Sequence, residues 1–224
     1  MGRSPTGSDR AAPKLTTVGT NRLESFSDGV IAVAITLLVL GLHVPSPGAK
    51  PHHSLIYALA NNWPAYAAYI TSFVTIGIIW INHHVMINRL TEVDRPILIL
   101  NLLLLMTIGA LPFATDLMAT YLQHPDGRSV AAAVYAATFE GMSIMFTALN
   151  RHIVLRKGGL LRTQLSAAEQ HRVLWRTSIG LIPYLVAGPL AFVSPYITLL
   201  ICGAVAVYYA LPSAVGPDAV ASEP

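Results

Sequence analysis

Charge is what this chain has least of. Asp, Glu, Lys and Arg make up 11% of its 224 residues, while hydrophobic residues reach 54%; soluble domains carry ~25% charged residues. So little charge cannot clothe a water-facing surface, and lipid becomes the expected solvent. Cysteine is nearly absent too. The single Cys202 lies in an apolar run, which excludes an intrachain disulfide framework and a cysteine-rich zinc site; it reads as a packing residue. No His-Glu-x-x-His, no Gly-x-Ser-x-Gly and no paired aspartates on facing spans occur. With no stretch able to fold as a soluble catalytic domain, the chain is expected to be no enzyme, to use no cofactor and to hold no resident metal.

A spanning helix needs roughly 20 mostly apolar residues, and six segments meet or approach that: about Phe26–Val44, Leu55–Ile81, Ile97–Tyr121, Val130–Leu149, Val173–Val193 and Pro195–Leu211. Ser194-Pro195 between the last two offers an N-cap followed by proline at the first helical position, so it predicts a tight hairpin. Alternating sides from the N-terminus puts Arg3, Arg10, Lys14, Arg22, Arg89, Arg95, Arg151, Arg156, Lys157, Arg162, Arg172 and Arg176 on one face of the membrane and only Lys50 and Arg128 on the other. Lys and Arg resist translocation. The expectation is therefore an all-α polytopic membrane protein with six transmembrane helices per chain and both termini cytoplasmic. That asymmetry also accounts for the net charge of +3, so no nucleic-acid partner is needed. Residues 1–20 and 213–224 read as disordered cytoplasmic tails around a helical domain at 21–212. No cleavable signal peptide is expected. Ser166 followed by Glu169 predicts a capping box on a short interfacial helix.

Polar residues inside such spans are costly and carry the functional expectation. The first helix opens with Arg22, Glu24, Ser27 and Asp28 before its apolar run. At about 100° per residue, Phe26, Gly29, Val33, Thr36, Leu37 and Leu40 form one stripe, and Asp28 points roughly 140° away from it, toward neighbouring helices. The stripe is either an ordinary lipid-facing or core surface, or an apolar ring that closes a pore by dewetting. Farther along, Trp80-Ile81-Asn82-His83-His84 ends the second helix; adjacent histidines lie about 100° apart, a poor arrangement for one metal. Glu140 lies mid-helix with Asn101 and Thr138 as partners by depth, and Asp116 lies near the outer end of the third helix. Trp63, Tyr66, Tyr69, Tyr121, Trp175 and Tyr196 read as interfacial aromatics.

Arg22-x-x-x-Phe26-Ser27-Asp28, with the Ala32-Val33-Ala34-Ile35-Thr36-Leu37-Leu38 run after it, resembles the signature of the transmembrane protein 175 family. Trp80-x-Asn82-His83 and Leu111-Pro112-Phe113 extend that resemblance across residues 21–212. The family comprises potassium channels of endosomes and lysosomes with prokaryotic relatives, and one six-helix unit per chain points to a prokaryotic member. The resemblance implies a homotetramer around a central pore in a bacterial plasma membrane. It implies a pore lined by the first helix, with a hydrophobic constriction at Val33, Leu37 and Leu40 and with Thr36 beside it. Val33 departs from the isoleucine or leucine typical there, which shifts closure toward Leu37. By the same resemblance Arg22, Phe26, Ser27, Asp28, Asn82 and His83 form a polar network holding the pore helix. The permeant ion would be K+ with other monovalent cations, only weakly selected, since neither the family nor this chain has a Thr-Val-Gly-Tyr-Gly filter. The competing expectation is a proton-coupled secondary transporter that uses Glu140, Asp116 and the histidines, although no internal repeat supports it.

Overall fold

The computed structural model describes residues 19–45, 54–156, 161 and 165–211. Both expected tails therefore lie outside the described residues, apart from Gly19 and Thr20. Every described element is helical: α1 (Thr20–Leu37), which runs on as a 3-10 turn over Leu38–Gly41, α2 (Leu55–Asn61), α3 (Trp63–Asn88), α4 (Arg95–Tyr121), α5 (Arg128–Arg156), α6 (Ala167–Ile179), α7 (Leu181–Leu190) and α8 (Pro195–Ala210). Among the described residues the only β pairing is an isolated bridge between Leu90 and Leu161.

Local chemistry sets the breaks. The expected run Leu55–Ile81 is two helices, because Pro64 stands in the first turn of α3, where a missing N–H costs nothing. Ser54 caps the separate α2 by accepting from the Tyr57 amide at 3.3 Å, and its Leu55, Ile56 and Tyr57 remain exposed. The Ser166–Glu169 capping box forms in full. It heads no separate interfacial helix, however: α6 continues through Gly180 into α7, and together they make the fifth long apolar segment. Gly180 is glycine for a steric reason, since a Cβ there would meet Tyr209 Oη at 2.7 Å. Gly127, in the turn before α5, has a φ of +92° that side chains rarely adopt. Ser194-Pro195 does make the turn into α8, but Ser194 sets the turn with extended backbone and no side-chain cap.

Among the described residues, five segments are long and apolar enough to cross a membrane: Thr20–Gly41, Trp63–Asn88, Arg95–Tyr121, Arg128–Leu155 and Ala167–Leu190; Pro195–Ala210 is apolar but shorter. The centre of the bundle is α5, which packs on α4, α6, α7 and α8, whereas α1 lies chiefly against α3 and α4. Tyr135 and Phe139 of α5 are fully buried, with ring centroids 4.7 Å apart, and Phe139 meets Tyr184 of α7 at 5.6 Å.

A buried hydroxyl cluster crosses this core. Tyr135 Oη lies 3.0 Å from Ser72 Oγ and donates to the Ala68 carbonyl at 3.3 Å. Ser72 Oγ in turn lies 2.8 Å from Thr115 Oγ1. The cluster ties α3, α4 and α5 where no water competes, although hydrogen bonds between membrane helices contribute only about 0.6 kcal/mol on average. Tyr135→Phe keeps the ring and leaves Ser72 its Thr115 partner. It is expected to cost about 1 kcal/mol, read as a lowered unfolding midpoint of the purified protein in detergent.

Candidate functional site

The two faces of α1 differ in kind. Leu23, Ser27, Ile31, Ala34 and Leu38 are buried against the bundle. The opposite stripe is open in the single chain: Phe26 keeps 53% of its surface exposed, Val33 57%, Leu37 43% and Leu40 70%, and Gly29 and Thr36 are exposed beside them. No charged side chain interrupts that stripe between Phe26 and Leu40. The Thr36 hydroxyl donates to the Val33 carbonyl at 2.8 Å, so its proton is committed to its own helix, and both lone pairs of this exposed oxygen remain free to accept.

Three polar contacts hold the inner face. The first is a directed chain in which His83 Nε2 donates to Asn101 Oδ1 at 2.7 Å, Asn101 Nδ2 donates to Ser27 Oγ at 2.9 Å, and Ser27 Oγ donates to the Leu23 carbonyl at 2.9 Å. Ser27, His83 and Asn101 are all fully buried. The second is a hydrogen bond from Trp80 Nε1 to Asp28 Oδ1 at 2.9 Å. In the third, His84 Nδ1 meets Glu24 Oε1 at 2.7 Å, while Asn88 Nδ2 lies 2.9 Å from the other ring nitrogen. With Asn88 donating to Nε2, the proton of neutral His84 sits on Nδ1, toward Glu24.

The adjacent histidines thus divide as their helical angle demands, His83 toward α4 and His84 toward α1. Among the described residues no group of His, Cys, Asp or Glu is arranged to hold a metal ion.

Of the residues expected in this network, Ser27, Asp28 and His83 are brought together on the α1–α3–α4 seam. Asn82 is exposed and donates to the Ile78 carbonyl of its own helix at 2.8 Å. Phe26 lies on the open stripe, and among the described residues the Arg22 side chain makes no hydrogen bond or ion pair; only its amide bonds, to the Gly19 carbonyl at 3.0 Å. Three members escape sequence reading. Asn101, a lone amide in an apolar run, is conspicuous, but depth alone pairs it with Glu140. Trp80 looks like an interfacial aromatic until its indole N–H is seen on Asp28. Glu24 announces itself only as another charge near the membrane edge.

Glu140 and Asp116 stand outside this seam. Thr138 donates to the Val134 carbonyl and Asn101 is committed elsewhere, so neither serves Glu140, whose Oε2 is buried without a hydrogen-bond partner. Asp116 packs against Gly41 at the far end of α1, its Oδ1 likewise buried and unpartnered.

Together these features define a polytopic helical membrane protein that presents one uncharged helix face and anchors the reverse face with polar groups. Residues 22–112 match the family model described as endosomal/lysosomal potassium channel TMEM175. A potassium channel of Streptomyces collinus is 40% identical over 203 residues, covering 91% of this chain and 97% of that protein. The crystal structure of a lysosomal potassium-selective channel TMEM175 homologue from Chamaesiphon minutus superposes with a TM-score of 0.76 at 38% identity, covering 87% of this chain and 97% of that one. An endosomal/lysosomal proton channel TMEM175 of Gallus gallus is 44% identical over 106 residues, which is 45% of this chain but 21% of that protein. This chain belongs to the TMEM175 family, a family of ion channels and not of enzymes, and a bacterial potassium channel matches 91% of its length.

The geometry separates two neighbouring asparagines. Asn101→Leu strands the His83 Nε2–H in an apolar seam, leaves Ser27 only its bond to the Leu23 carbonyl, and is expected to destabilise the fold by about 1–3 kcal/mol. Asn82→Ala removes only an exposed bond within one helix and stays within about 0.5 kcal/mol of the parent. Unfolding midpoints of the two variants in the same detergent check both outcomes.

Proposed function

We propose that the chain forms a potassium-permeable, weakly selective cation channel in the bacterial plasma membrane. Its pore is lined by α1 of four identical chains around one axis. The observation that carries this reading is the open stripe Phe26–Val33–Leu37–Leu40. It is apolar, uncharged and uncovered in the single chain, on a helix whose other face is held in place by buried polar bonds. Four copies turned toward a common axis cover the stripe and leave a narrow apolar constriction, which gates by dewetting. Val33 is a short side chain for that task and gives a wider ring, so Leu37 takes the larger share of closure and Leu40 extends it. Arg22, Phe26, Ser27, Asp28, Asn82 and His83 are assigned to holding the pore helix, Arg22, Phe26 and Asn82 through contacts made in the assembly.

Selectivity in this reading rests on side chains. Thr36, with its O–H engaged on the Val33 carbonyl, offers the passing ion oxygen lone pairs and no positive end. One ring of such oxygens favours cations while discriminating weakly between K+ and Na+. Six spans with cytoplasmic termini remain the best reading of the topology, supported by the basic residues on one side. At ~1.5 Å per residue the 16 residues of α8 span about 24 Å, short of the ~30 Å hydrocarbon core, and a short span is met by local thinning of the bilayer.

Potassium flux into liposomes holding the purified protein tests the reading. Wild type is expected to conduct, and Leu37→Asn and Val33→Asn to raise the flux several-fold by wetting the constriction. Absence of flux in all three overturns it. Flux that needs a proton gradient and disappears in Glu140→Gln replaces it with proton-coupled transport through the unpartnered Glu140.

A further inference from the structure

A cavity of about 270 Å³ lies between α3, α5, α6, α7 and α8, well away from the open face of α1. Along α3 its lining runs from Thr75 to Arg89, a distance of about 21 Å at ~1.5 Å per residue. That is roughly two-thirds of the ~30 Å hydrocarbon thickness. The slot therefore follows the helix axes, from mid-bundle, where Phe139 and Tyr184 line it, to the end of the bundle at which α1 begins. Its walls are mainly apolar, but three guanidinium groups stand at that end: Arg89, just past α3, and Arg172 and Arg176, four residues apart on one face of α6.

Among the described residues, no side chain forms a hydrogen bond or ion pair with any of the three. The carboxylate whose field reaches Arg89 and Arg172 is Glu169, and its Oε2 is taken up by the Ser166 amide and hydroxyl of the helix cap. Among the described residues, three cations against one engaged carboxylate leave the mouth positive.

An apolar slot parallel to the bilayer normal, with a cationic mouth, matches one chemistry: a hydrocarbon chain ending in an anionic headgroup. We infer that this slot binds an anionic phospholipid, with one acyl chain between α3, α5 and α7 and the phosphate on Arg89, Arg172 and Arg176. A zwitterionic lipid brings its own ammonium to the same mouth and forfeits the attraction. Free phosphate has the headgroup chemistry but leaves the slot unfilled. The inference does not rest on the pore reading, because the slot lies on the other side of α3 from Trp80, His83 and His84, whose bonds secure the α1 seam.

Native mass spectrometry of the full chain in detergent tests it, with phosphatidylglycerol, phosphatidylcholine, a free fatty acid and inorganic phosphate titrated separately. Retained phosphatidylglycerol adducts are expected. Each Arg→Gln should weaken them roughly fivefold and the triple variant on the order of a hundredfold. Ser143→Trp, which fills the slot without changing charge, should abolish them; Ile78→Trp serves if that variant does not fold, judged by its unfolding midpoint. Equal binding of phosphatidylcholine overturns the inference. So does phosphatidylglycerol binding that survives a folded slot-filling variant, or that inorganic phosphate or fatty acid alone reproduces at equal affinity.

Discussion

His83, Asn101, Ser27 and the Leu23 carbonyl pass hydrogen bonds in one direction across three helices, and the placement of α1 depends on that chain. Lipid offers no water to replace a lost partner, so a buried amide or hydroxyl either finds its mate or remains a cost. One serine, one asparagine and one histidine therefore fix rotation as well as position. With Ser27 turned inward, Phe26, Val33, Leu37 and Leu40 have nowhere to go but outward. Trp80 on Asp28 and His84 on Glu24 add two more ties between α1 and the same end of α3, and those polar groups sit nearer the edge of the bundle. The uncharged stripe is thus a by-product of where the polar groups must go.

Much of this was legible beforehand because membrane sequences are constrained in coarse ways. Hydropathy located the helices, and the helical angle alone sent Asp28 and the stripe in opposite directions. The split of His83 from His84 also follows from consecutive positions on one helix. Partners were less legible than positions. Depth along the membrane suggested Asn101 for Glu140, but depth is one coordinate of three, and α1 lies closer to that amide. Resemblance placed Asn82 beside His83 in the anchoring set. In the single chain it instead bonds its own helix, one helical step away from the seam. Pro64 falls inside a long apolar run, yet at the first turn of a helix it marks a beginning, and α2 becomes a separate element.

Two halves of α3 serve different neighbours. Trp80, His83 and His84 face α1 and α4, while Ile78, Asn82 and Val85 line the slot shared with α5, α6 and α7. The α5 core, with its Tyr135–Ser72–Thr115 hydroxyls, supports α3 from behind. A rigid core, a two-sided helix and a peripheral helix held by hydrogen bonds make a graded structure, in which α1 buries Leu23, Ile31, Ala34 and Leu38 yet takes its orientation from polar groups.

The sequence separation of those bonds has a consequence for biogenesis. Trp80 follows Asp28 by 52 residues and Asn101 follows Ser27 by 74. At ~5–20 residues per second of synthesis, α1 waits about 4–15 s between emerging and the arrival of the asparagine that satisfies Ser27. Until Trp80 and His84 are made, partway through that interval, Asp28 and Glu24 have no mates, and the nascent helix is held only by its apolar run and the basic residues before it. Final seating of the helix must therefore follow the making of α4, so the first segment translated is among the last to settle.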